Sequence, residues 1–200
     1  MSRPALVRVQ QALAQGGPAR ASQLEAAGIQ RAELSRLVAA GELQRVARGL
    51  YALPDYQGTE DSALVTVAKR VPKSVFCLLT ALRMHGLTTQ LPSEVWIAIG
   101  SKQHAARLDY PPLRIVRFSD ESLAYGVETR EVEGTALHVT DIAKTVADCF
   151  KFRNKIGLDV ALEALREARR DRKASIDRLW RAAQVDRVAN VMRPYLETIG

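Results

Sequence analysis

Apolar side chains in the first 53 residues recur with the period of an α-helix in three stretches. The first stretch predicts a helix over residues 4–15, and the last predicts a helix that begins near Gln30 and ends at Gly41. Between them, Ser22 and Glu25 have the spacing of an N-terminal capping box, so a second, short helix should begin there. The apolar positions of the first and last helices are Leu6, Val9, Leu13, Leu34, Leu37 and Val38.

After the third helix the pattern changes to short β-prone runs. Residues 43–46 and 50–53 are separated by a turn that contains Gly49, which predicts a hairpin. Residues 26–29 (Ala-Ala-Gly-Ile) have the length and the glycine of the turn in a helix-turn-helix motif. Helices followed by a two-stranded hairpin are the element order of a winged helix-turn-helix domain, which we predict over residues 1–53.

Residues 54–59 contain turn-forming and polar residues without periodicity, and predict a linker. The remaining segment, 60–200, begins with helical patterns over 60–71 and 75–86, and Thr140 is placed to cap a later helix. Between them lie four predicted strands, at 95–99, 113–118, 127–132 and 136–139. We therefore predict an α+β protein, with an N-terminal winged helix-turn-helix followed by a mixed α/β C-terminal domain that has a short sheet and a helical tail.

Positive charge is concentrated at the two ends of the chain. The formal net charge is +7, and it divides into +4 for residues 1–53, −2 for 54–150 and +5 for 151–200. All seven basic residues of the first segment are Arg. An excess of Arg and Lys in a small folded unit favours a polyanionic partner, because binding releases phosphate counterions. A solvated basic surface explains the same numbers, so the charge alone leaves both interpretations open.

Composition excludes several classes of protein. Charges interrupt every apolar stretch before the roughly 18 residues that a membrane span needs, and the first residues lack the apolar core of a secretory signal. Two cysteines, Cys77 and Cys149, are too few for a disulfide framework or a cysteine-based zinc site. We expect a cytoplasmic protein with no membrane segment, no metal site and no cofactor.

Sequence motifs of common enzyme classes are also absent: there is no phosphate-binding Gly-x-x-x-x-Gly-Lys run, no Gly-x-Gly-x-x-Gly loop and no Gly-x-Ser-x-Gly elbow. A metal-dependent nuclease or nucleotidyltransferase would need clustered carboxylates. The available acids show no recognisable order and are expected to be turn formers and caps: Glu94, Asp120, Glu128 and Asp141. We predict no enzymatic activity and no catalytic residue. Such an enzyme remains an alternative, as does a protein-interaction module in which the winged helix holds a partner chain.

The candidate functional residues are those of the predicted helix-turn-helix and hairpin. The second helix of such a pair enters the major groove of DNA, where its N-terminal part reaches base edges. Gln pairs with adenine and Arg with guanine through two hydrogen bonds, while Ser binds bases or phosphates. Arg45 and Arg48 on the hairpin, and Arg20 before the second helix, are predicted to contact the DNA backbone. The outward positions of the recognition helix are Gln30, Arg31, Ser35 and Arg36.

The same region resembles a known family. The runs Leu34–Leu37, Gly41–Leu43, Arg45–Val46 and Arg48–Leu53 resemble the N-terminal domain of the AbiEi-family antitoxins, which belong to bacterial type IV toxin–antitoxin, or abortive-infection, systems. The resemblance covers roughly residues 20–170. It continues in the runs Leu78–Leu82, His85–Leu87, Glu94–Trp96 and Ala143–Asp148.

This resemblance implies a function in phage defence. It implies a winged-helix repressor that binds inverted repeats in its own promoter, and a C-terminal domain that counters a nucleotidyltransferase-type toxin encoded beside it. In a type IV system the antitoxin opposes the effect of the toxin without needing a stable complex with it. The expected partner is double-stranded DNA, and inverted repeats are matched by two copies of the reading module, as a dimer or as cooperatively bound monomers.

Overall fold

The computed structural model describes residues 3–13, 18–47, 49–56, 60–90, 92–104, 108, 111–170 and 172–198. The chain divides into two compact units. The N-terminal unit comprises 1–73 with 106–112 and 131–137, and the C-terminal unit comprises 74–105, 113–130 and 138–200. Helices and strands are mixed along the chain, which confirms the predicted α+β class.

In the N-terminal unit, helices and short strands follow the order predicted for a winged helix-turn-helix. Its elements are α1 (Arg3–Ala12), β1 (Ala19–Arg20), α2 (Ala21–Ala26), α3 (Arg31–Ala39), β2 (Gln44–Ala47), β3 (Leu50–Ala52) and α4 (Glu60–Arg70). The three strands form an antiparallel sheet in the order β1-β3-β2. The first three helices and the hairpin confirm the sequence pattern, whereas β1 is an additional strand that the sequence did not predict.

Two glycines end the helices of the helix-turn-helix. Gly28 follows α2 and Gly41 follows α3, with φ angles of +81° and +71°. Such left-handed backbone favours glycine, because it has no Cβ to clash. In both places the next residue donates its N–H to the carbonyl five residues back along the helix, Ile29 to Leu24 at 3.0 Å. This C-terminal capping geometry satisfies the last free carbonyls of the helix and fixes the direction of the turn.

The predicted capping box of Ser22 and Glu25 is wrong. Helix α2 begins at Ala21, and the side-chain carbonyl of Gln23 accepts the backbone N–H of Arg20 at 2.8 Å. The reason is the unpredicted strand β1, whose pairing with β3 extends to Arg20 and sets where the helix begins. Glu25 accepts a hydrogen bond from Arg31 instead.

The core of the N-terminal unit is made by the apolar stripes that the sequence predicted, together with buried positions in the turns and in β1. Leu34 and Leu37 of α3 are each 1% exposed, and Ile29 in the turn is equally buried. Burying one side of α3 in this way leaves its other side to solvent. The buried cluster consists of Val9, Leu13, Ala19, Leu24, Ile29, Leu34, Leu37 and Leu43.

The first residues of the predicted linker are held by the hairpin. The side-chain amide of Gln44 donates to the carbonyls of Leu53 and Tyr56, each at 2.8 Å. Helix α4 groups with the N-terminal unit, so the division lies after Lys73. Residues 57–59 of the predicted linker lie outside the described residues. The assignment of a DNA-binding domain to 1–53, a linker to 54–59 and an antitoxin-like domain to 60–200 therefore remains a prediction.

A five-stranded mixed sheet and seven helices follow α4 in the described residues. The elements are β4 (Val75–Phe76), α5 (Leu78–Met84), β5 (Val95–Gly100), β6 (Leu113–Phe118), α6 (Asp120–Ala124), β7 (Val127–Val132), β8 (Thr135–Thr140), α7 (Ile142–Lys151), α8 (Arg153–Ile156), α9 (Leu158–Arg170), α10 (Ile176–Val185) and α11 (Ala189–Thr198). The strand order is β6-β5-β4-β8-β7. Strand β4 is antiparallel to β5 and parallel to β8, and β5 is parallel to β6. The four predicted strands are confirmed.

Two sequence predictions in this part of the chain are wrong. Residues 75–76 form strand β4, so the predicted helix over 75–86 is shorter and begins at Leu78. Thr140 ends strand β8 and does not cap α7. Asp141 is the cap, since its carboxylate accepts the N–H of Lys144 at 2.8 Å.

Helix α7 carries a buried group of charges. The ammonium of Lys144, which is 0% exposed, lies between the carboxylates of Asp148 and Asp186 and contacts the latter at 3.1 Å. The ring of Phe118 covers it, with the nitrogen 4.3 Å from the ring centre. Burial alone would lower the pKa of Lys144, but the two carboxylates raise it above its ordinary value. The lysine is therefore charged and compensated within the core.

His85 joins the end of α5 to the end of β8. Its Nε2 donates to the carbonyl of Thr140 at 2.7 Å, so Nδ1 accepts from the guanidinium of Arg130, also at 2.7 Å. The carboxylate of Glu128 lies 3.9 Å from Nδ1 and that of Asp141 also acts on the ring. Burial, and then the charge of Arg130, lower the pKa of His85 below 6.5, against the two carboxylates and the Thr140 carbonyl, which raise it. The geometry requires a neutral ring.

A pH titration of the His85 ring should show the lowered pKa directly. The expected midpoint of the His85 ring lies below 6.5, with the proton on Nε2 at neutral pH, and the ¹⁵N shifts of the ring nitrogens measure both. Below 6.5 the unfolded chain binds a proton that the folded protein does not, so the free energy of unfolding should fall as the pH falls through this window. A midpoint at or above 6.5 contradicts the assignment.

Among the helices of the described residues, none combines the length and the apolar character needed to cross a membrane.

Candidate nucleic-acid interface

Helix α3 presents a continuous exposed face opposite its buried stripe. The exposed positions follow the helical repeat over two turns and combine two arginines with small residues: Arg31, Ala32, Ser35, Arg36 and Ala39. From first to last they span about 12 Å along the axis at 1.5 Å per residue, and the diameter of an α-helix, about 10–12 Å with its side chains, fits the width of the major groove. Ala and Ser allow another surface to approach the helix backbone, while the arginines extend beyond it.

Two of the predicted base-contacting residues also serve the helix itself. Gln30 is the cap residue of α3, and its backbone N–H donates to the carboxylate of Glu33 at 3.0 Å. The hydroxyl of Ser35 donates to the carbonyl of Arg31 at 3.2 Å. Both side chains are exposed, so these bonds leave the amide of Gln30 and the lone pairs of Ser35 accessible.

Arg31 is held by a carboxylate across the turn. Its Nε donates to Oε1 of Glu25 on α2, although 82% of its side chain is exposed. Arg36 on the same face makes no hydrogen bond or ion pair with any described residue. The two arginines of α3 therefore differ, since one is oriented by a partner and the other is not.

A third arginine, Arg8 on α1, braces the turn and was not found from the sequence. Its guanidinium donates to the carbonyl of Gly28 at 2.9 Å and lies 4.0 Å from the carboxylate of Glu33. A Cβ at Gly28 would lie 3.2 Å from the same guanidinium. Arg8 thus connects α1 with both sides of the helix-turn-helix corner. The contact with Gly28 joins residues 20 positions apart, and the periodicity of the sequence does not indicate it.

The hairpin places Arg45 and Arg20 differently. Arg45 on β2 is opposite Tyr51, whereas Arg20 on β1 is opposite Leu50. Because consecutive residues of a strand point to opposite faces, these two arginines lie on opposite faces of the sheet. Arg45 is exposed without a hydrogen bond or ion pair among the described residues. Arg20 is half-buried.

The surroundings of Arg20 set it further apart. Burial, and then the charge of nearby Arg70, lower the pKa of Arg20. The structure therefore brings Gln30, Arg31, Ser35 and Arg36 together on α3 and leaves Arg45 exposed on the hairpin, but does not place Arg20 on the sheet face of Arg45. Arg48 lies outside the described residues. DNA contact by each of these residues remains a prediction.

The acids considered for a metal-dependent enzyme occupy structural positions. Glu94 lies 3.8 Å from Arg114 and Glu128 lies 2.8 Å from Arg130, while Asp141 caps α7. Within the described ranges, no three or more His, Cys, Asp or Glu side chains form a group that could hold a metal ion.

Comparison with known families identifies the N-terminal region. A family model described as "Transcriptional regulator, AbiEi antitoxin" matches the segment from 7 to 54. Residues 7–54 are therefore similar to the AbiEi antitoxin transcriptional regulators. The resemblance stated from the sequence is thus confirmed for the segment that contains the second half of α1, the helix-turn-helix and the hairpin. Because the matched model describes a transcriptional regulator, the match supports a DNA-binding regulatory role. The match ends before the later resembling runs, so the resemblance of those runs remains a prediction.

A solved structure has the same overall fold. The RV2827C protein from Mycobacterium tuberculosis superimposes with a TM-score of 0.62 over 90% of this chain and 71% of the other, at 15% sequence identity. At this identity the likeness concerns the fold alone. No curated protein matches the sequence.

Proposed function

We propose that the protein is a sequence-specific DNA-binding transcriptional regulator that uses α3 as its recognition helix. The observation that carries this proposal is the exposed face of α3, where small residues alternate with Arg31 and Arg36 on a helix of the segment that matches the AbiEi model. The length and composition of this face fit the major groove, and the exposed Arg45 of the adjoining hairpin is suited to a phosphate. Binding of this kind requires no metal, cofactor or catalytic residue.

The biological role follows from the antitoxin family. We propose that the protein represses its own operon by binding an inverted repeat and acts as the antitoxin of a type IV system against a nucleotidyltransferase-type toxin. Two copies would occupy the repeat, as a dimer or as cooperative monomers. The AbiEi match supports the regulator and antitoxin role, and a bacterial operator would place the protein in the cytoplasm.

The salt dependence of DNA binding tests the proposal. If two copies each neutralise about three phosphates, the slope of log affinity against log salt should be about −5, at roughly −0.9 per phosphate. The purified protein and a duplex from a random library enriched on it provide this measurement by fluorescence anisotropy. The control is an unselected duplex of the same length.

The result must combine charge with sequence preference. We expect affinity for the enriched duplex to exceed that for the control by about a thousandfold or more at physiological salt. Equal affinity for both duplexes contradicts a sequence-specific regulator. A slope near zero contradicts phosphate binding altogether, and retention of a protein partner at high salt without DNA binding would favour the interaction module instead.

A further inference from the structure

The geometry points to a specificity function for Glu25. We propose that Glu25 is a positioning residue that holds the guanidinium of Arg31 for end-on recognition of a guanine, and that it weakens contact of Arg31 with phosphates. The proposal rests on the proposed function, since it assigns the base class that one residue of the recognition helix reads. Glu25 itself is not expected to contact DNA.

The contact leaves the informative donors of Arg31 available. A guanidinium has five N–H donors, one on Nε and four on the two terminal nitrogens. Glu25 takes the bond from Nε, so both terminal nitrogens remain for another acceptor. In the major groove guanine offers two acceptors, O6 and N7, to such a pair of donors. The exposed fractions of the two side chains, 82% for Arg31 and 34% for Glu25, place the arginine outermost.

The turn between α2 and α3 holds the pair in register. Glu25 is in the last turn of α2 and Arg31 is the first residue of α3. Between them, Gly28 ends α2 and accepts a hydrogen bond from Arg8, while the side chain of Ile29 is buried. Because both ends of the turn are fixed, less conformational freedom of Arg31 is lost when it meets a base, which favours binding.

The charge of Glu25 distinguishes two kinds of target. A phosphate that approaches Arg31 is repelled by the adjacent carboxylate, whereas the neutral edge of a base is not. The other carboxylate near the turn, Glu33, is engaged by the N–H of Gln30 and lies beside Arg8. Glu25 is thus the carboxylate that Arg31 contacts among the described residues, and its removal changes this one arginine.

The test compares Glu25→Gln with Glu42→Gln, which makes the same change of charge on a half-buried residue just after α3. Four proteins are compared: the two glutamine variants, Arg31→Ala and the unmodified protein. Each is used to select duplexes from a random library, and the salt slope of each is measured on an unselected duplex. Circular dichroism and thermal melts establish that each variant is folded.

We expect the unmodified protein to select a motif that contains a guanine. In Arg31→Ala the preference of the protein for this guanine should fall about 5–150-fold, the range for loss of one bidentate base contact. In Glu25→Gln the same preference should fall about 2–5-fold, the size of one exposed ion pair. Its slope on the unselected duplex should become steeper by about 0.9 for each bound copy, because Arg31 is free to neutralise a phosphate. Glu42→Gln should select the same motif as the unmodified protein, with an unchanged slope.

The outcomes separate this inference from the function on which it rests. A motif that Glu25→Gln selects as sharply as the unmodified protein overturns the positioning function while the regulator remains supported. Loss of a base other than guanine in Arg31→Ala overturns the guanine assignment. If the unmodified protein enriches no motif, the proposed function itself fails.

Discussion

Replacing Lys144 by methionine should lower the free energy of unfolding by about 3–5 kcal/mol, the range for removal of one partner from a buried ion pair. Methionine has nearly the length of lysine and retains contact with the Phe118 ring, so the loss is one of charge and not of volume. The carboxylates of Asp148 and Asp186 would remain in the core without their shared cation. Of the two carboxylates, Ser122 and Lys151 bind that of Asp186. The carboxylate of Asp148 would therefore be left without a compensating charge.

Chemical denaturation followed by the fluorescence of Trp96 and Trp180 measures this loss. The matched control is Lys102→Met, because Lys102 is exposed and has no hydrogen bond or ion pair among the described residues; its effect should stay within about 0.5 kcal/mol. A loss of similar size in both variants would show that the buried charge network does not stabilise the protein.

The pH dependence of this loss separates charge from packing. Burial raises the pKa of Asp148 well above 3.8, and removal of the ammonium should raise it further. Between 3.8 and the raised value, the folded variant binds a proton that the unfolded chain does not, so its stability increases as the pH falls. The deficit of Lys144→Met should therefore be smaller at pH 5 than at pH 8. An equal deficit at both would indicate a packing defect.

Local sequence signals predicted much of the fold. The helix ends at Gly28 and Gly41 were predictable because a left-handed residue after a helix is usually glycine. The face of α3 followed from the spacing of Leu34 and Leu37, whose burial determines which side of the helix is exposed. The six-residue strands could be predicted from their β-prone runs and from the turn-forming residues that separate them. These features depend on neighbours within a few positions.

Features that depend on distant partners were not predictable. Strands β1 and β4 have two residues each, too few for a period, and exist because β3 and β5 pair with them. Ser22 and Glu25 satisfied a local capping pattern, but the pairing of β1 shifted the start of α2. Glu25 instead accepts a hydrogen bond from Arg31. A sequence pattern could not reveal this, because a capping box and an ion pair across a turn use the same residue types.

The candidate site shows the same limit. The residues predicted for the recognition helix are exposed on α3 and at its cap, because the exposed face is the complement of the apolar stripe, while their contact with DNA stays a prediction. Arg20 was grouped with the hairpin arginines by its position next to α2, yet its register opposite Leu50 places it on the other sheet face from Arg45. Because the register between strands is a tertiary property, the sequence pattern could not show on which sheet face Arg20 lies.

Arg36→Ala should weaken binding to the selected duplex by about 1–3 kcal/mol and relax the preference at one base pair. Arg36 is exposed on α3 and forms no bond with a described residue, so its loss leaves the helix otherwise intact. Fluorescence anisotropy on the selected duplex and on duplexes altered at one position measures both effects. Arg181→Ala is the control, because it removes the same charge from an exposed position on α10.

The salt slope determines how Arg36 acts. If Arg36 contacts a base, its removal abolishes the preference at one position. The salt slope is then unchanged, because no phosphate contact is lost. If it contacts a phosphate, affinity for all duplexes falls alike and the slope decreases in magnitude by about 1 for each bound copy. Arg36 lies five residues after Arg31 on the same exposed face of α3, and this shared face favours the base contact, because the exposed face of a recognition helix is the one that enters the major groove. Affinity as high for Arg36→Ala as for Arg181→Ala would remove Arg36 from the interface.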